Sequence, residues 1–336
     1  MNKELYKYMY TATIDITTAC NLKCKHCRVE SITYNMGLEE IETICKKLSE
    51  YKTKMLFISG GEPLIRQDIV EVVTVAKKYI PLITINTNAT LLTEKLLQNL
   101  IDAGVNYIQV SLDGLEKEHD EIRGEGTFQK TLDSIRIIAK YTDKISLHVS
   151  SVVSKINIDR MDEFVDYLID KNKLPIQIIG FKRYLPKNVM AGVCNLGKNG
   201  FELLNAKVDK LADLYQDKTK IVMDSPIKNI YKKDEVINTI NKYNLACAGC
   251  SAATGGIAIR TNGDVSPCSL LDINIGNILS DSIEDLYETK AVQDLINRKL
   301  NGKCGKCEYR IICGGCRAAA LLNDGDYLSE DPECYI

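Results

Sequence analysis

The 336-residue sequence lacks three things: a net charge of any size, a long apolar run, and the hydrophobic stretch of a secretion signal. Its formal charge is -2 at pH 7, which gives no field to draw in nucleic acid or an anionic membrane surface. No run approaches the roughly 20 apolar residues that a bilayer span requires. The opening MNKELYKYMY has none of the apolar character of a signal peptide. These absences point to a cytoplasmic protein that uses neither nucleic acid nor a membrane as partner. Low-complexity tracts and whole-unit repeats are also missing. What remains, 45% hydrophobic and 26% charged, is an ordinary globular composition for one large domain or two, long enough to bury a core without staples.

The excess is in cysteine, with 13 residues. A cytoplasmic chain does not normally hold so many as disulfides, so metal binding is the better reading. The cysteines form two groups: Cys20, Cys24 and Cys27 near the start, and a dense set from Cys247 to Cys334. Only Cys45 and Cys194 lie between them. Cys45 falls on the apolar face of a helical pattern with Leu38, Ile41 and Leu48 and reads as a small core residue. Cys194 lies in a Gly-containing loop over 191–197. It reads as a plain free thiol, with a hydrogen-atom donor or a stray ligand as the functional alternatives.

Between the two groups, short β-branched runs alternate with helical patterns. Strands are expected over 11–17, 55–59, 82–86, 107–112, 145–153 and 175–181. Helices are expected over 69–79, 93–103, 127–141 and 158–170, and a bridging helix over 201–216. This βα alternation predicts a parallel sheet with right-handed crossovers. Six units predict a partial (β/α)6 barrel of the α/β class, with its site at the C-terminal ends of the strands. From about residue 242 the chain becomes rich in Cys and Gly. The expected organisation is a barrel over 1–195, a bridging helical region over 196–241, and a small cysteine-rich domain over 242–336.

Cys20-Asn-Leu-Lys-Cys24-Lys-His-Cys27 follows the first strand directly. Three thiolates at CxxxCxxC spacing suit a [4Fe–4S] cluster with one iron left open to a ligand. A zinc site would want a fourth protein ligand. His26 is the nearby candidate, tightly placed between Cys24 and Cys27. One unit later comes Ser59-Gly60-Gly61-Glu62-Pro63, at the end of the second strand. Two glycines let backbone approach a ligand closely, and their carbonyls, with Glu62, can accept hydrogen bonds from an ammonium group. A Gly-Gly turn alone is usually only a turn; one βα unit after a cysteine triad it becomes informative. The C-terminal group holds Cys247-x2-Cys250, Cys268, Cys304-x2-Cys307, Cys313-x2-Cys316 and Cys334. Eight cysteines make two closed sets of four, which iron–sulfur clusters and zinc accept equally.

The triad with GGEP resembles the radical S-adenosylmethionine (SAM) superfamily. The resemblance extends to Asn86-Thr87-Asn88, Ser111-Leu112-Asp113-Gly114, His119-Asp120-Glu121-Ile122-Arg123-Gly124 and Val153-Ser154-Lys155-Ile156-Asn157. It implies that Gly60, Gly61, Glu62 and Ser111 contact SAM, with Asn88 and Arg123 as second choices. For Arg123 the plainer alternative is a salt bridge that ties down its loop. His26 occupies the position, often aromatic in that family, that packs near adenine. His119 and His148 read as structural.

The later cysteines, with Arg317 after Cys316, resemble the SPASM extension of that superfamily, which holds two auxiliary [4Fe–4S] clusters. The resemblance implies that Cys247, Cys250, Cys268 and Cys316 hold the first. It assigns Cys304, Cys307, Cys313 and Cys334 to the second. Two departures stand out: Cys313 and Cys316 are separated by two residues where the family usually has three, and the first close pair is variable in the family.

The resemblance implies a radical SAM enzyme with three [4Fe–4S] clusters, fed by an electron donor such as flavodoxin or ferredoxin. Such an enzyme cleaves SAM to a 5′-deoxyadenosyl radical that takes a hydrogen atom from a substrate. A ribosomally made peptide or protein is the first expectation, with cross-linking, oxidation or oxidative decarboxylation as the outcome. The first strand begins near residue 11, without the leader-gripping domain of many peptide-modifying members, so a separate carrier protein is expected in that role. The alternatives are a sulfatase-maturase-like enzyme, a haem-precursor decarboxylase and a small-molecule dehydrogenase. Sulfatase maturases place an Asp where this chain has Ser269. A non-catalytic zinc-binding interaction module accounts for the close cysteine pairs but not for the triad with GGEP.

Overall fold

A computed structural model describes residues 9–28, 34–185, 195–243 and 247–336. Cys194 lies outside the described residues. The six expected strands are present: β1 (Thr11–Asp15), β2 (Met55–Ser59), β3 (Leu82–Thr87), β4 (Tyr107–Ser111), β5 (Ser146–Val153) and β6 (Ile178–Arg183). They pair in sequence order, all parallel. The sheet also runs further at both edges. A strand β7 (Lys220–Met223) pairs parallel to β6, and β8 (Gly256–Ile259), from the cysteine-rich region, pairs parallel to β1. A two-residue strand, β9 (Val265–Ser266), closes the edge antiparallel to β8. The order is β7-β6-β5-β4-β3-β2-β1-β8-β9.

The two faces differ in chemistry because side chains alternate along a strand. One face carries Ile14, Ile58, Ile83, Ile85, Ile108, Val110, Leu147 and Val149, all buried beneath the helices. The facing helices are α1 (Leu38–Glu50), α2 (Ile69–Lys77), α3 (Glu94–Asp102), α4 (Glu116–Arg123), α5 (Thr127–Ala139) and α6 (Met161–Asp166). Cys45 is among their buried residues, a core position. The other face carries Thr13, Asn86, Gln109, Ser111, His148, Ser150 and Lys182, mostly half-buried. A complete barrel fills its interior with branched apolar side chains. Here Phe57, Tyr107, Val152 and Ile178 share the face with those polar residues, so the interior is mixed.

Three local differences have physical causes. β1 stops at Asp15 because Thr17 pairs as an isolated bridge with Asn35 and donates its hydroxyl to Asn35 Oδ1 at 2.5 Å. The helical pattern over 158–170 resolves into a 3-10 turn (Ile158–Arg160), α6 and a widened π turn (Tyr167–Lys171). The helix α4 has no counterpart among the expected elements: its sequence EKEHDEIR offers too few apolar residues to show a period. The bridging helix α7 spans Gly197–Tyr215 and leads into β7.

Candidate functional site

The triad loop leaves the end of β1 and lies against the turn after β2. Gly61 N–H donates to Thr17 O at 2.7 Å and Glu62 N–H to Ala19 O at 2.9 Å. The two glycines make this approach possible. A Cβ on Gly60 would sit 2.2 Å from Thr17 O, and one on Gly61 would sit 2.3 Å from Ala19 O. Gly60 also has φ +137°, which L side chains rarely adopt. The glycines therefore serve a purpose beyond opening their own carbonyls to a ligand: they let the cysteine loop seat on the sheet.

The triad thiols lie within electrostatic reach of one another. Cys24 feels the charges of both Cys27 and Cys20, and Cys20 those of Glu62, Cys27 and Arg123. Burial pushes the Cys24 thiol up to about 11 and raises that of Cys20, so both stay protonated until a metal displaces the proton. The Cys20 sulfur accepts from Leu22 N–H at 3.4 Å. His26 turns elsewhere: its Nε2 lies 3.9 Å from Asp113 Oδ2, and its buried Nδ1 has no hydrogen-bond partner among the described residues. It lines a small cavity with Lys25, Ile122, Val152, Ser154, Ile156 and Tyr184.

Glu62 is 1% exposed, and its carboxylate braces the turn. Oε1 accepts from Leu64 N–H (3.0 Å) and the Thr87 hydroxyl (2.6 Å), and Oε2 from Asn88 N–H (2.7 Å). A carboxylate has about four acceptor sites, so about one remains for a ligand. Burial raises the Glu62 carboxyl against the pull of these hydrogen bonds. The Asn88 amide is committed too, donating to Asn21 Oδ1 at 3.0 Å inside the triad loop. Ser111, at the end of β4, pairs in register with Ser150 on the polar face.

Arg123 meets Asp113: Nε donates to Oδ2 at 2.6 Å, both groups buried. The Arg123 charge also reaches Cys24 and Glu62. The salt bridge and a place beside the triad are thus the same fact. Asp113 is the hub. Its Oδ1 accepts from Val152 N–H (2.8 Å), its carbonyl from Asn157 Nδ2 (2.9 Å), and its N–H donates to His119 Nδ1 (3.1 Å). Burial pushes the Asp113 carboxyl up, but Arg123 and His26 win and hold it below the usual carboxylate range. The sequence signals Asp113 only through the Ser-Leu-Asp-Gly run after a strand.

In the cysteine-rich region the two sets of four separate in space. Cys304, Cys307, Cys313 and Cys334 line one cavity, walled by Pro226, Ile227 and Ile230. Cys268 feels Cys250 and Cys316, and Cys247 feels Cys250. Burial pushes Cys268 up to about 11 and Cys313 to about 12. Backbone N–H groups point at the sulfurs: Leu270 at Cys268 (3.5 Å), Tyr309 at Cys307 (3.4 Å), Gly315 at Cys313 (3.4 Å) and Asp331 at Cys304 (3.4 Å). These donors stabilise thiolate, which is the form a metal needs. None of the described cysteines forms a disulfide. Two arginines are fully buried here, Arg317, which follows Cys316 in the SPASM-like pattern, and Arg298, which no sequence pattern singles out. Arg298 donates to Cys250 O (2.8 Å), while Arg317 donates to Ser329 O (2.6 Å) and to Cys304 Sγ (3.6 Å). From the triad loop, Arg28 reaches Leu270 O at 3.0 Å, two residues past Cys268. At the barrel mouth, Arg260 pairs with Asp15 at 3.1 Å and donates to Ser269 O at 3.1 Å. Arg260 thus links Asp15 of β1 to the backbone of Ser269.

Comparison with known proteins agrees with this arrangement. The Radical SAM superfamily matches residues 14–168, and SPASM, an iron–sulfur cluster-binding domain, matches residues 247–308. The chain is a radical SAM superfamily enzyme with a C-terminal SPASM domain. It is 28% identical to the AdoMet-dependent heme synthase of Methanosarcina barkeri, over 95% of this chain and 94% of that protein. It is 26% identical to the mycofactocin maturase MftC of Mycolicibacterium smegmatis, over 96% of this chain and 81% of that protein. Its fold is similar to that of native anSMEcpe with bound AdoMet, at TM-score 0.74 and 19% identity, covering 96% of this chain and 93% of that one. No helix among the described residues is long and apolar enough to cross a membrane.

Proposed function

We propose that this chain takes a hydrogen atom from a C–H bond of its substrate, using SAM bound at the Cys20–Cys24–Cys27 triad, and that it holds three [4Fe–4S] clusters in all. When bound, the triad cluster and SAM supply the electron and the 5′-deoxyadenosyl radical for that step. The observation that carries the reading is the seating of the triad loop on the Gly60-Gly61-Glu62 turn, which puts three thiols, two backbone carbonyls and a spare carboxylate lone pair together. In this reading Gly60, Gly61 and Glu62 accept hydrogen bonds from the SAM ammonium group. Arg123, held by Asp113, faces its carboxylate, and Ser111 and Asn88 border the ligand. His26 and its cavity take the adenine. Cys247, Cys250, Cys268 and Cys316 hold one auxiliary cluster, and Cys304, Cys307, Cys313 and Cys334 the other. A flavodoxin or ferredoxin delivers the electron.

For the substrate, the first reading is a ribosomally made peptide or protein, presented by a separate carrier. The mixed, half-buried barrel interior and the match to a mycofactocin maturase support it. A haem precursor is the second reading. It is favoured by the nearly full mutual coverage with the heme synthase, where the maturase extends well beyond this chain. The test reconstitutes the protein without oxygen and counts about twelve irons. It then measures 5′-deoxyadenosine from SAM and dithionite, alone and with each candidate substrate. The substrate that raises 5′-deoxyadenosine above the background rate and is itself altered decides the class. Iron saturating near four, with zinc in the remainder, overturns the three-cluster reading.

A further inference from the structure

We propose that Arg183, a barrel residue, sets the reduction potential of the auxiliary cluster held by Cys247, Cys250, Cys268 and Cys316; the inference rests on the ligation just proposed. Arg183 ends β6 and is 7% exposed. Its charge reaches the Cys316 thiol. Its N–H groups are fixed: Nη1 and Nη2 meet the two oxygens of Asp331 at 3.2 and 3.0 Å, and Nη1 meets Glu333 Oε2 at 2.8 Å. The Phe201 ring lies 4.6 Å from its Cζ and covers the open face. Asp331 in turn accepts Cys316 N–H at 2.8 Å, so carboxylate, arginine and ligand cysteine form one closed unit.

The chemistry follows from charge. One-electron reduction of a cluster adds a negative charge to sulfurs that are already electron-rich. A buried cation beside one of them, joined to that cysteine's backbone through a shared carboxylate, stabilises the reduced form more than the oxidised form and so raises the potential. Burial keeps water from screening the effect. Arg183 is thus a positioning residue through which the barrel, and not only the cysteine-rich region, tunes the first auxiliary cluster. Arg317, which points at Cys304, belongs to the other set.

The test is a redox titration with dithionite, followed by electron paramagnetic resonance, on the reconstituted wild type, Arg183→Met, Arg183→Gln and Arg183→Lys. The expected result is that one auxiliary signal moves to more negative potential in Arg183→Met and moves less in Arg183→Lys. The other two signals stay in place. A purely structural role lowers thermal stability or iron content but leaves the potential of any retained cluster where it was. Unchanged potentials in Arg183→Met overturn the proposal. If that variant fails to hold the cluster, Arg183→Gln decides: it removes the charge but keeps two N–H donors for Asp331, and an unshifted potential there overturns the proposal too. A wild type with fewer than three clusters brings down the ligation reading, and this inference with it, before any variant is compared.

Discussion

The two cysteine regions of this molecule solve opposite problems. The triad loop rests on a finished scaffold. Ile14, Ile58, Ile83 and Ile108 are fully buried or nearly so, and the loop is seated by backbone hydrogen bonds from the end of β2. Cys20 and Cys27 are exposed, an incomplete ligand set held out toward solvent by a barrel with its own core. The C-terminal region adds buried side chains such as Leu271, Ile278, Leu286 and Leu295 to the same core, but on shorter elements. Beyond β8 and β9 it has helices of five to eight residues, at Ile283–Glu288, Lys290–Ile296, Gly302–Lys306 and Arg317–Asp324. Of its eight thiols Cys247 and Cys304 are buried and the other six half-buried, and the fully buried Arg298 and Arg317 stand among them. In the first region the fold positions the ligands; in the second the ligands supply much of the fold.

The comparison breaks first at the triad. Replacing Cys20, Cys24 and Cys27 together with Ala should abolish SAM cleavage, leave about eight of about twelve irons, and barely move the unfolding of the barrel. 5′-Deoxyadenosine made by that variant from SAM and dithionite would show that the radical site lies elsewhere. Next in size is Gly61→Ala. The added Cβ meets Ala19 O at 2.3 Å, so the loop must shift. A misplacement of about 1 Å costs roughly 100-fold in rate, so SAM cleavage should fall by about that factor while auxiliary iron is retained. Native turnover in Gly61→Ala would mean the loop is not fixed by this contact.

A smaller effect sharpens the other side of the comparison. Cys334→Ala should cost about four irons and lower the yield of altered substrate per 5′-deoxyadenosine, with SAM cleavage intact. The tail should nevertheless stay attached, because Asp331 and Glu333 are held by Arg183 at 3.0 and 2.8 Å. Adding Arg183→Met to Cys334→Ala should release it, read as new protease cleavage after residue 324. An unchanged ratio of product to 5′-deoxyadenosine in Cys334→Ala would make that cluster structural and rule it out as an electron acceptor.

What the sequence discloses follows the same division. The six parallel strands and the covering helices are legible because β-branched runs alternate with helical spacing around an apolar core. The cysteine groups are legible because ligand spacing is short-range. β8 is not: Gly-Ile-Ala-Ile is four residues inside a Cys- and Gly-rich stretch, and its partner β1 lies about 245 residues away in sequence. The pairing depends on Gly256, where a Cβ would meet Thr11 Oγ1 at 2.3 Å, a constraint visible only once the strands are adjacent. The roles of Glu62 and Asn88 are half legible. Their motif places them at the site, but that both carry part of the load of the triad loop follows from hydrogen bonds across 26 and 67 residues. The arginines Arg28, Arg183 and Arg298 carry no local pattern at all.

The smallest effect concerns the hub behind the triad. His119 is fully buried, its ring centroid 5.9 Å from that of Phe128 in an edge-on arrangement. Its Nδ1 accepts the Asp113 N–H, so the proton sits on Nε2, which has no partner among the described residues. A second proton would have to go onto Nδ1, against the Asp113 N–H. Burial, and then the Arg123 charge, push the imidazole down to about 4 from an ordinary 6.5. Between those values the unfolded chain binds the proton and the folded chain does not, so stability rises with pH across the window. The contribution is complete above pH 6.5 and is lost as pH falls toward 4, a change on the order of 3 kcal/mol. His119→Gln removes the titration. Denaturant unfolding of the metal-free protein at several pH values should give a wild-type stability that falls more steeply from pH 6.5 to 4 than that of the variant. Parallel curves would mean that His119 already takes up its proton in the folded state, and that the Asp113 hub tolerates a charge the geometry argues against.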